Sequence, residues 1–316
     1  MTQGDEDRSV QTDNSTIQYF NSSTILTYFF IFVRPMRPDH LYVTDLDGTL
    51  LRSGAKLSDY ARQVLTRLLE DGMPFTIATA RSITSVRQIL GDLPITLPII
   101  CGNGAYMAYL HDEKHWFTNS IPKPKDEGIL DLILGHKLEP FLSAYNGQTN
   151  RLFMSPRRNP GTQWYWEDRS QAGDHRLQEI SDLRSGLAHQ VLSFNIIGLL
   201  DSVLELQASL ERQYDKELNL YMYDQVHTGE WYWLSVYDAQ ATKARGISVL
   251  LDHIGLTSSE LTVFGDSLND ISMFEFAANP IAVANAKSPL LALATQVIGP
   301  NETDSVVEYL RHAMGG

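Results

Sequence analysis

Asp45-Leu46-Asp47-Gly48-Thr49-Leu50 sets two carboxylates two positions apart, just where the apolar run Leu41-Tyr42-Val43 ends. Alternation along a strand sends both side chains to one side. The Gly48-Thr49 pair breaks the strand, so the acids sit at its carboxyl end, where open α/β sheets bind their ligands. Acids held this close repel each other unless a cation or a shared proton compensates. Taken alone, the hexapeptide also fits a strand-to-turn exit with two solvated aspartates.

Three further segments carry the reading outward. Phe75-Thr76-Ile77-Ala78-Thr79-Ala80-Arg81 is a buried strand ending in a hydroxyl, and Val263-Phe264-Gly265-Asp266-Ser267-Leu268-Asn269-Asp270 is an apolar strand ending in a glycine turn and two acids. Thr242-Lys243-Ala244-Arg245-Gly246 opens an amphipathic helix with a lysine in its first turn, where the helix dipole disfavours a cation unless a carboxylate faces it. The gap from Asp45 to Thr79 holds one strand, helix, strand unit. Its helix runs from Ser58 to Glu70, with Ser58 as N-cap, Tyr60, Val64, Leu65, Leu68 and Leu69 on one stripe, and Gly72 past the end. A third core strand, Leu97–Ile100, runs into Gly102-Asn103-Gly104-Ala105.

The gap from Thr79 to Lys243 is far longer than one crossover needs, whereas Lys243 to Asp266 fits a helix and its return strand. The surplus reads as an inserted domain over 123–229, bordered by Pro122-Lys123-Pro124 and by the stretch from His227 to Gly229, with a core over 38–122 and 230–316. Within the insertion the pattern gives a helix at Asp126–Leu134, strands near Phe141–Tyr145 and Arg151–Met154, and one or two helices between Gly161 and Arg184. After these come a strand at Gln190–Leu199, a helix at Ser202–Tyr214, and strands at Glu217–Tyr223 and Trp231–Tyr237. Arg157, Arg158 and Trp164-Tyr165-Trp166 are open to two readings, a grip on substrate or plain packing, and Trp231-Tyr232-Trp233 reads as packing.

In this order the four motif segments resemble the haloacid dehalogenase superfamily of phosphohydrolases, and more closely its Cof-like branch, from about Asp39 to the C-terminus and most weakly through the insertion. Asn103-Gly104-Ala105 shares in that resemblance. It implies an α/β fold: a Rossmann-like, doubly wound, mostly parallel sheet with an α/β cap inserted after the third core strand. It also implies Asp45 as nucleophile, Asp47 as general acid and base, and Thr79 and Lys243 as a phosphate cradle. Mg²⁺ would be held by Asp45, the backbone carbonyl of Asp47, and Asp266, with Asp270 as a further ligand or its support. Arg81, Asn103, Asn269 and Asn285 are the implied substrate-binding residues, Asn285 being equally readable as a structural loop residue. The implied activity is hydrolysis of a small soluble phosphomonoester (a sugar phosphate, nucleotide or phosphorylated cofactor) through an aspartyl-phosphate. A capped hexose phosphomutase and a catalytically silent sugar-phosphate sensor are the alternatives. The sequence departs from the branch at Ala80, where glycine is common, and along Ala282-Val283-Ala284-Asn285-Ala286, where alanine stands for glycine or methionine.

Composition bounds the rest. The chain has 316 residues, 43% of them hydrophobic, which suits two modest cores. A net charge of −13 argues against nucleic acid as partner, and it means that an anionic substrate must be welcomed locally. Cys101 is the only cysteine, which excludes an intramolecular disulfide and reads as a small buried hydrophobe in a reducing, cytoplasmic protein. Residues 1–37 stand apart. Met1–Ser23 is polar and reads as disordered, and Thr24–Val33 is apolar but too short to span a bilayer; a true start at Met36 would leave both out. No membrane partner is expected, and the oligomeric state is not legible.

Overall fold

The computed structural model describes residues 39–226 and 230–315. The 1–37 segment, with its polar stretch, apolar run and alternative start at Met36, and the 227–229 border lie outside these residues. The chain begins β1 (Leu41–Thr44), α1 (Asp59–Glu70), β2 (Phe75–Ile77), α2 (Ile83–Leu90), β3 (Ile99–Cys101), β4 (Tyr106–Ala108) and β5 (His115–Thr118). It continues α3 (Lys125–Gly135), β6 (Pro140–Tyr145), β7 (Asn150–Met154), α4 (Pro160–Gln171), β8 (Leu177–Glu179), β9 (Gln190–Leu199), α5 (Leu200–Tyr214), β10 (Leu218–Val226) and β11 (Trp231–Asp238). It closes with α6 (Lys243–Ile254), β12 (Leu261–Gly265), α7 (Ile271–Phe276), β13 (Asn279–Val283), α8 (Ser288–Leu291), β14 (Gln296–Ile298) and α9 (Ser305–Ala313).

Five strands form a parallel sheet in the order β14-β13-β12-β1-β2. Leu41, Val43, Val263, Phe264, Ile281 and Val283 are almost fully buried, as strands covered on both faces require. Helix α1 forms as its sequence dictates: the Ser58 hydroxyl accepts from the Ala61 N–H, Ala61, Leu65 and Leu69 are buried on one face, and Gly72 follows with φ +88°. Tyr60 departs from that stripe. It is exposed, and its hydroxyl donates to Glu308 on α9, because at the first turn it lies beyond the edge of the buried face. The third core strand is Ile99–Cys101 rather than Leu97–Ile100. It meets β2 through one parallel bridge, Ala78 to Ile100, and pairs antiparallel with β4, which pairs with β5. Cys101 is buried there, and burial raises its thiol pKa, so it packs as an inert side chain.

Six strands form a second sheet in the order β10-β11-β9-β6-β7-β8, antiparallel except between β7 and β8. It runs on to Asp238, past the border at 229, because β11 pairs with both β9 and β10. Strand alternation gives it two different faces. Leu142, Ala144, Phe194, Ile196, Leu234 and Val236 pack against Ile129, Leu130 and Ile133 of α3 and Val203, Leu206 and Leu210 of α5. The intervening residues, Ser143, Ser193, Asn195, Trp233 and Tyr237, line a cavity on the opposite face.

His115 ties β5 to this second sheet. Its ring stacks between Tyr106 (centroids 4.1 Å apart) and Tyr145 (3.6 Å), with Nε2 3.0 Å from Asn150 Oδ1 and Nδ1 3.0 Å from Thr118 Oγ1. Burial, against a small opposing pull from Asn150, lowers its pKa to about 4. In the unfolded chain the ring takes up a proton near pH 6.5, so between 6.5 and 4 the unfolded state binds more protons and stability falls as pH falls. Allowing for its partial exposure, the loss is about 1–3 kcal/mol. Urea unfolding from pH 7 to 4 should show it, and His115→Phe, which keeps the stack without the titration, should flatten that part of the slope; parallel slopes would refute it.

Candidate active site

The carboxyl edge of the parallel sheet brings four charged groups from three distant stretches of chain to one point. Asp45 follows β1 and stays in the ladder, its N–H donating to Phe264 O at 2.9 Å. Lys243 opens α6, whose N-cap Thr242 accepts from the Arg245 N–H at 3.0 Å. The Lys243 ammonium, wholly buried, lies 2.5 Å from Asp45 Oδ1 and 2.6 Å from Asp270 Oδ1. Asp270 Oδ2 accepts the N–H groups of Asp266 and Ser267, each at 3.0 Å, which fixes the turn after β12. Thr49 donates to Asp266 Oδ1 at 3.0 Å. Carboxylate oxygens of Asp45, Asp266 and Asp270 all fall within 4.8 Å of one another.

Two glycines allow this convergence. Gly48 has φ +79°, and a Cβ there would sit 2.5 Å from Asp266 Oδ2. Gly104 has φ +97°, and a Cβ there would sit 2.1 Å from Thr242 O, so the turn after β3 presses directly on the cap of the helix that delivers Lys243.

Electrostatics follow from burial. Burial works against the Lys243 ammonium, but Asp270 and Asp45 outweigh it and raise its pKa above the ordinary lysine range. Burial pushes Asp45 well above the ordinary carboxylate range, with Lys243 pulling it back. An ammonium 2.5 Å away keeps the proton on nitrogen and leaves Asp45 ionised. Asp266 is pushed up to about 6 by burial and then by Asp270, with Thr49 opposing. One ammonium faces three carboxylates, so negative charge remains uncompensated. Oxygen-only donors with surplus negative charge fit a hard divalent cation such as Mg²⁺; no histidine or cysteine joins the cluster among the described residues.

Asp47 stands outside that cluster by its carboxylate. It is half-exposed and paired side-on with Arg81, Nε to Oδ2 at 2.6 Å and a terminal nitrogen to Oδ1 at 2.7 Å. Although burial opposes its charge, Arg81 is raised above its ordinary range by Asp47 and then Asp45. Thr79 is buried, and its hydroxyl accepts from the Arg81 N–H at 3.1 Å, so Ala80 sits in a tight turn that needs no positive φ. Asn103, at φ +54°, accepts from Asn269 Nδ2 at 3.0 Å and donates to the Tyr223 hydroxyl at 3.3 Å, linking the turn after β3 to β10. Asn285 donates to Gly48 O at 2.8 Å and accepts from the Asn301 N–H at 3.0 Å, bracing the Gly48 turn.

Beside Arg81 opens a cavity of about 250 Å³ between α2, the turn after β3 and the polar face of the second sheet. The aromatic run on α4 packs in the cluster around Phe141, Leu152 and Ile197. Tyr165 meets Phe141 and Trp233 edge to face, and both Tyr165 and Trp233 also line the cavity. Arg157 and Arg158 do not line it: Arg157 lies exposed near Glu139, and Arg158 covers Trp166 and pairs with Glu179. The arginines that do, besides Arg81, are Arg151, Arg169 and Arg176. Nothing local in the sequence marks these three: Arg151 stands on β7, Arg169 near the end of α4 and Arg176 in the turn before β8.

An α/β sheet that gathers acids from two strand ends and a helix-borne lysine, with a second sheet alongside, defines a class of hydrolase centred on a carboxylate cluster. Residues 42–310 match the family model of haloacid dehalogenase-like hydrolases. The 5-amino-6-(5-phospho-D-ribitylamino)uracil phosphatase YitU of Bacillus subtilis is 23% identical over 86% of this chain and 96% of its own length. The HMP-PP phosphatase of Citrobacter koseri is 27% identical over 85% and 93%. A haloacid dehalogenase-like hydrolase from Bacteroides thetaiotaomicron superposes with a TM-score of 0.71 at 22% identity, covering 87% of this chain and 99% of that one. The chain belongs to the haloacid dehalogenase-like hydrolases, as a phosphoric monoester hydrolase of the Cof-like branch. Among the described residues no helix is long and apolar enough to cross a membrane.

Proposed function

We propose that the chain is a Mg²⁺-dependent phosphatase for a small soluble phosphomonoester, with the second sheet as the cap over its site. The observation that carries this is the Lys243 ammonium bridging Asp45 and Asp270, with Asp266 beside them. Relatives named for a phospho-ribitylamino-uracil and for HMP-PP support a small phosphorylated metabolite as substrate.

With Oδ1 of Asp45 held by Lys243, Oδ2 attacks phosphorus; the new O–P bond forms as the bond to the leaving oxygen breaks. Asp47, once released from Arg81 and protonated from solvent, gives that proton to the leaving oxygen. Asp47 then takes a proton from water, whose oxygen attacks the aspartyl-phosphate and frees Asp45 and orthophosphate. Thr79 and the neighbouring N–H groups bind the phosphoryl oxygens. Asp45, Asp266 and the Asp47 carbonyl, with Asp270 in support, would hold Mg²⁺, which supplies charge neutralisation for the phosphoryl group. The test is release of p-nitrophenol from p-nitrophenyl phosphate. Chelation with EDTA should lower the rate on the order of 10²-fold or more, and added Mg²⁺ should restore it. Turnover indifferent to EDTA would refute the metal assignment.

A further inference from the structure

Three of the four motif segments meet at one short turn, and the second sheet reaches that turn through a side chain the phosphoryl chemistry does not use. The turn after β3 is zipped to the turn that carries Thr79 and Arg81: the Asn103 N–H donates to Thr79 O at 2.9 Å, and the Gly102 N–H to Arg81 O at 3.0 Å. Gly104 presses on the cap of the helix that delivers Lys243. The Asn103 side chain is wholly buried with both ends committed. Its Oδ1 accepts from Asn269 Nδ2 at 3.0 Å, and its Nδ2 donates to the Tyr223 hydroxyl at 3.3 Å. Asn269 in turn lies between Asp266 and Asp270, in the loop after β12.

Tyr223 comes to this junction from β10. Alternation sends Leu220 and Met222 to the helix-covered face of the second sheet and Tyr221 and Tyr223 to the other, opposite Ser235 and Trp233 of β11. Tyr221 packs against the core of the parallel sheet and meets Tyr237 edge to face. The pairing register shifts between Tyr223 and Val226, the kind of irregularity that re-aims a side chain. Burial pushes the Tyr223 phenol up to about 12, with Asn103 opposing, so it is neutral and its oxygen accepts from the Asn103 amide. Without that oxygen the Asn103 Nδ2 would be a buried donor with no acceptor, which costs more than the bond itself contributes.

We propose that Tyr223 is a positioning residue for phosphoryl transfer, acting through Asn103 on Thr79 and on the loop of Asp266 and Asp270, and that Asn103 holds this connection instead of touching substrate. This rests on the phosphatase reading above and adds the residue that ties the second sheet to that site. Because the connection ends at groups that serve the phosphoryl centre, its loss is felt whatever leaving group the substrate carries. The test is kcat and KM with Mg²⁺ for acetyl phosphate and for p-nitrophenyl phosphate, whose leaving groups differ in size and polarity, with thermal unfolding of each preparation to show that it is folded. Tyr223→Phe, which removes one oxygen, should lower kcat about tenfold on both compounds with KM within about threefold of wild type. Asn103→Gly, which tolerates the backbone at φ +54°, should lower kcat at least as much, and adding Tyr223→Phe to it should cost under about threefold more. If Asn103→Gly does not fold, the Tyr223→Phe comparison decides alone. Wild-type kcat in folded Tyr223→Phe, a loss seen only as a raised KM or with only one of the two compounds, or full losses that multiply in the double variant, overturns the proposal. A wild-type chain that hydrolyses neither compound ends the phosphatase reading and this proposal with it; the other adverse outcomes end this proposal alone.

Discussion

Asp45→Asn should abolish phosphate release, by on the order of 10⁴-fold or more, while leaving the fold intact. The amide is nearly isosteric, and its oxygen still accepts from the Lys243 ammonium that now lies 2.5 Å from Oδ1. What it loses is the anionic oxygen that would bond to phosphorus. Asn removes one negative charge from a cluster with three carboxylates and one ammonium, so the thermal midpoint should hold or rise slightly. The measurement is p-nitrophenyl phosphate turnover beside thermal unfolding of the same preparation. A folded variant retaining turnover within tenfold of wild type would end the assignment of Asp45 as nucleophile.

The residues that converge on this point were legible because each ends a local pattern. Asp45 and Asp266 follow short apolar runs, and Lys243 follows a capping threonine, so periodicity and turn chemistry placed them on strand and helix ends without knowledge of pairing. Most elements of the second sheet were legible for the same reason, β9 from Gln190 to Leu199 among them. The hairpin of β4 and β5 was not. Tyr106-Met107-Ala108 is three residues long and buried throughout, too short to show a period, and a register shift separates Met107 from Ala108 in its pairing with β5. The edge at 229 failed because pairing with β9, a long-range contact, decides that β11 belongs to the second sheet. The cavity arginines stayed hidden for a related reason. Arg169 is an ordinary polar position near the end of α4, and Arg176 is one charge in the turn before β8; that both reach one cavity depends on how α4 and β8 pack beside the second sheet, a long-range matter.

Lys243→Met should be the most damaging change to stability in the site. The methionine fills much of the same volume, but it leaves Asp45 and Asp270 buried and facing each other without the ammonium that lies within 2.6 Å of both. Breaking a buried pair in this way costs about 3–5 kcal/mol. The cost also acquires a pH dependence of definite sign. In the wild-type protein burial already pushes Asp45 upward, and Lys243 is the main pull in the other direction. Without it the folded-state pKa of Asp45 rises further above the unfolded value, so the folded state binds more protons than the unfolded one across that interval. Stability of the variant should therefore be greatest at low pH and decline as pH rises through the raised pKa, a slope opposite to the one His115 gives. Mg²⁺ should recover part of the loss at neutral pH, since a divalent cation binding the freed carboxylates favours the folded state. Guanidinium unfolding of the variant from pH 5 to 8, with Mg²⁺ and with EDTA, measures both effects. A wild-type slope, or a loss under about 1 kcal/mol, would mean that the ammonium is not what lets these acids coexist at the sheet edge.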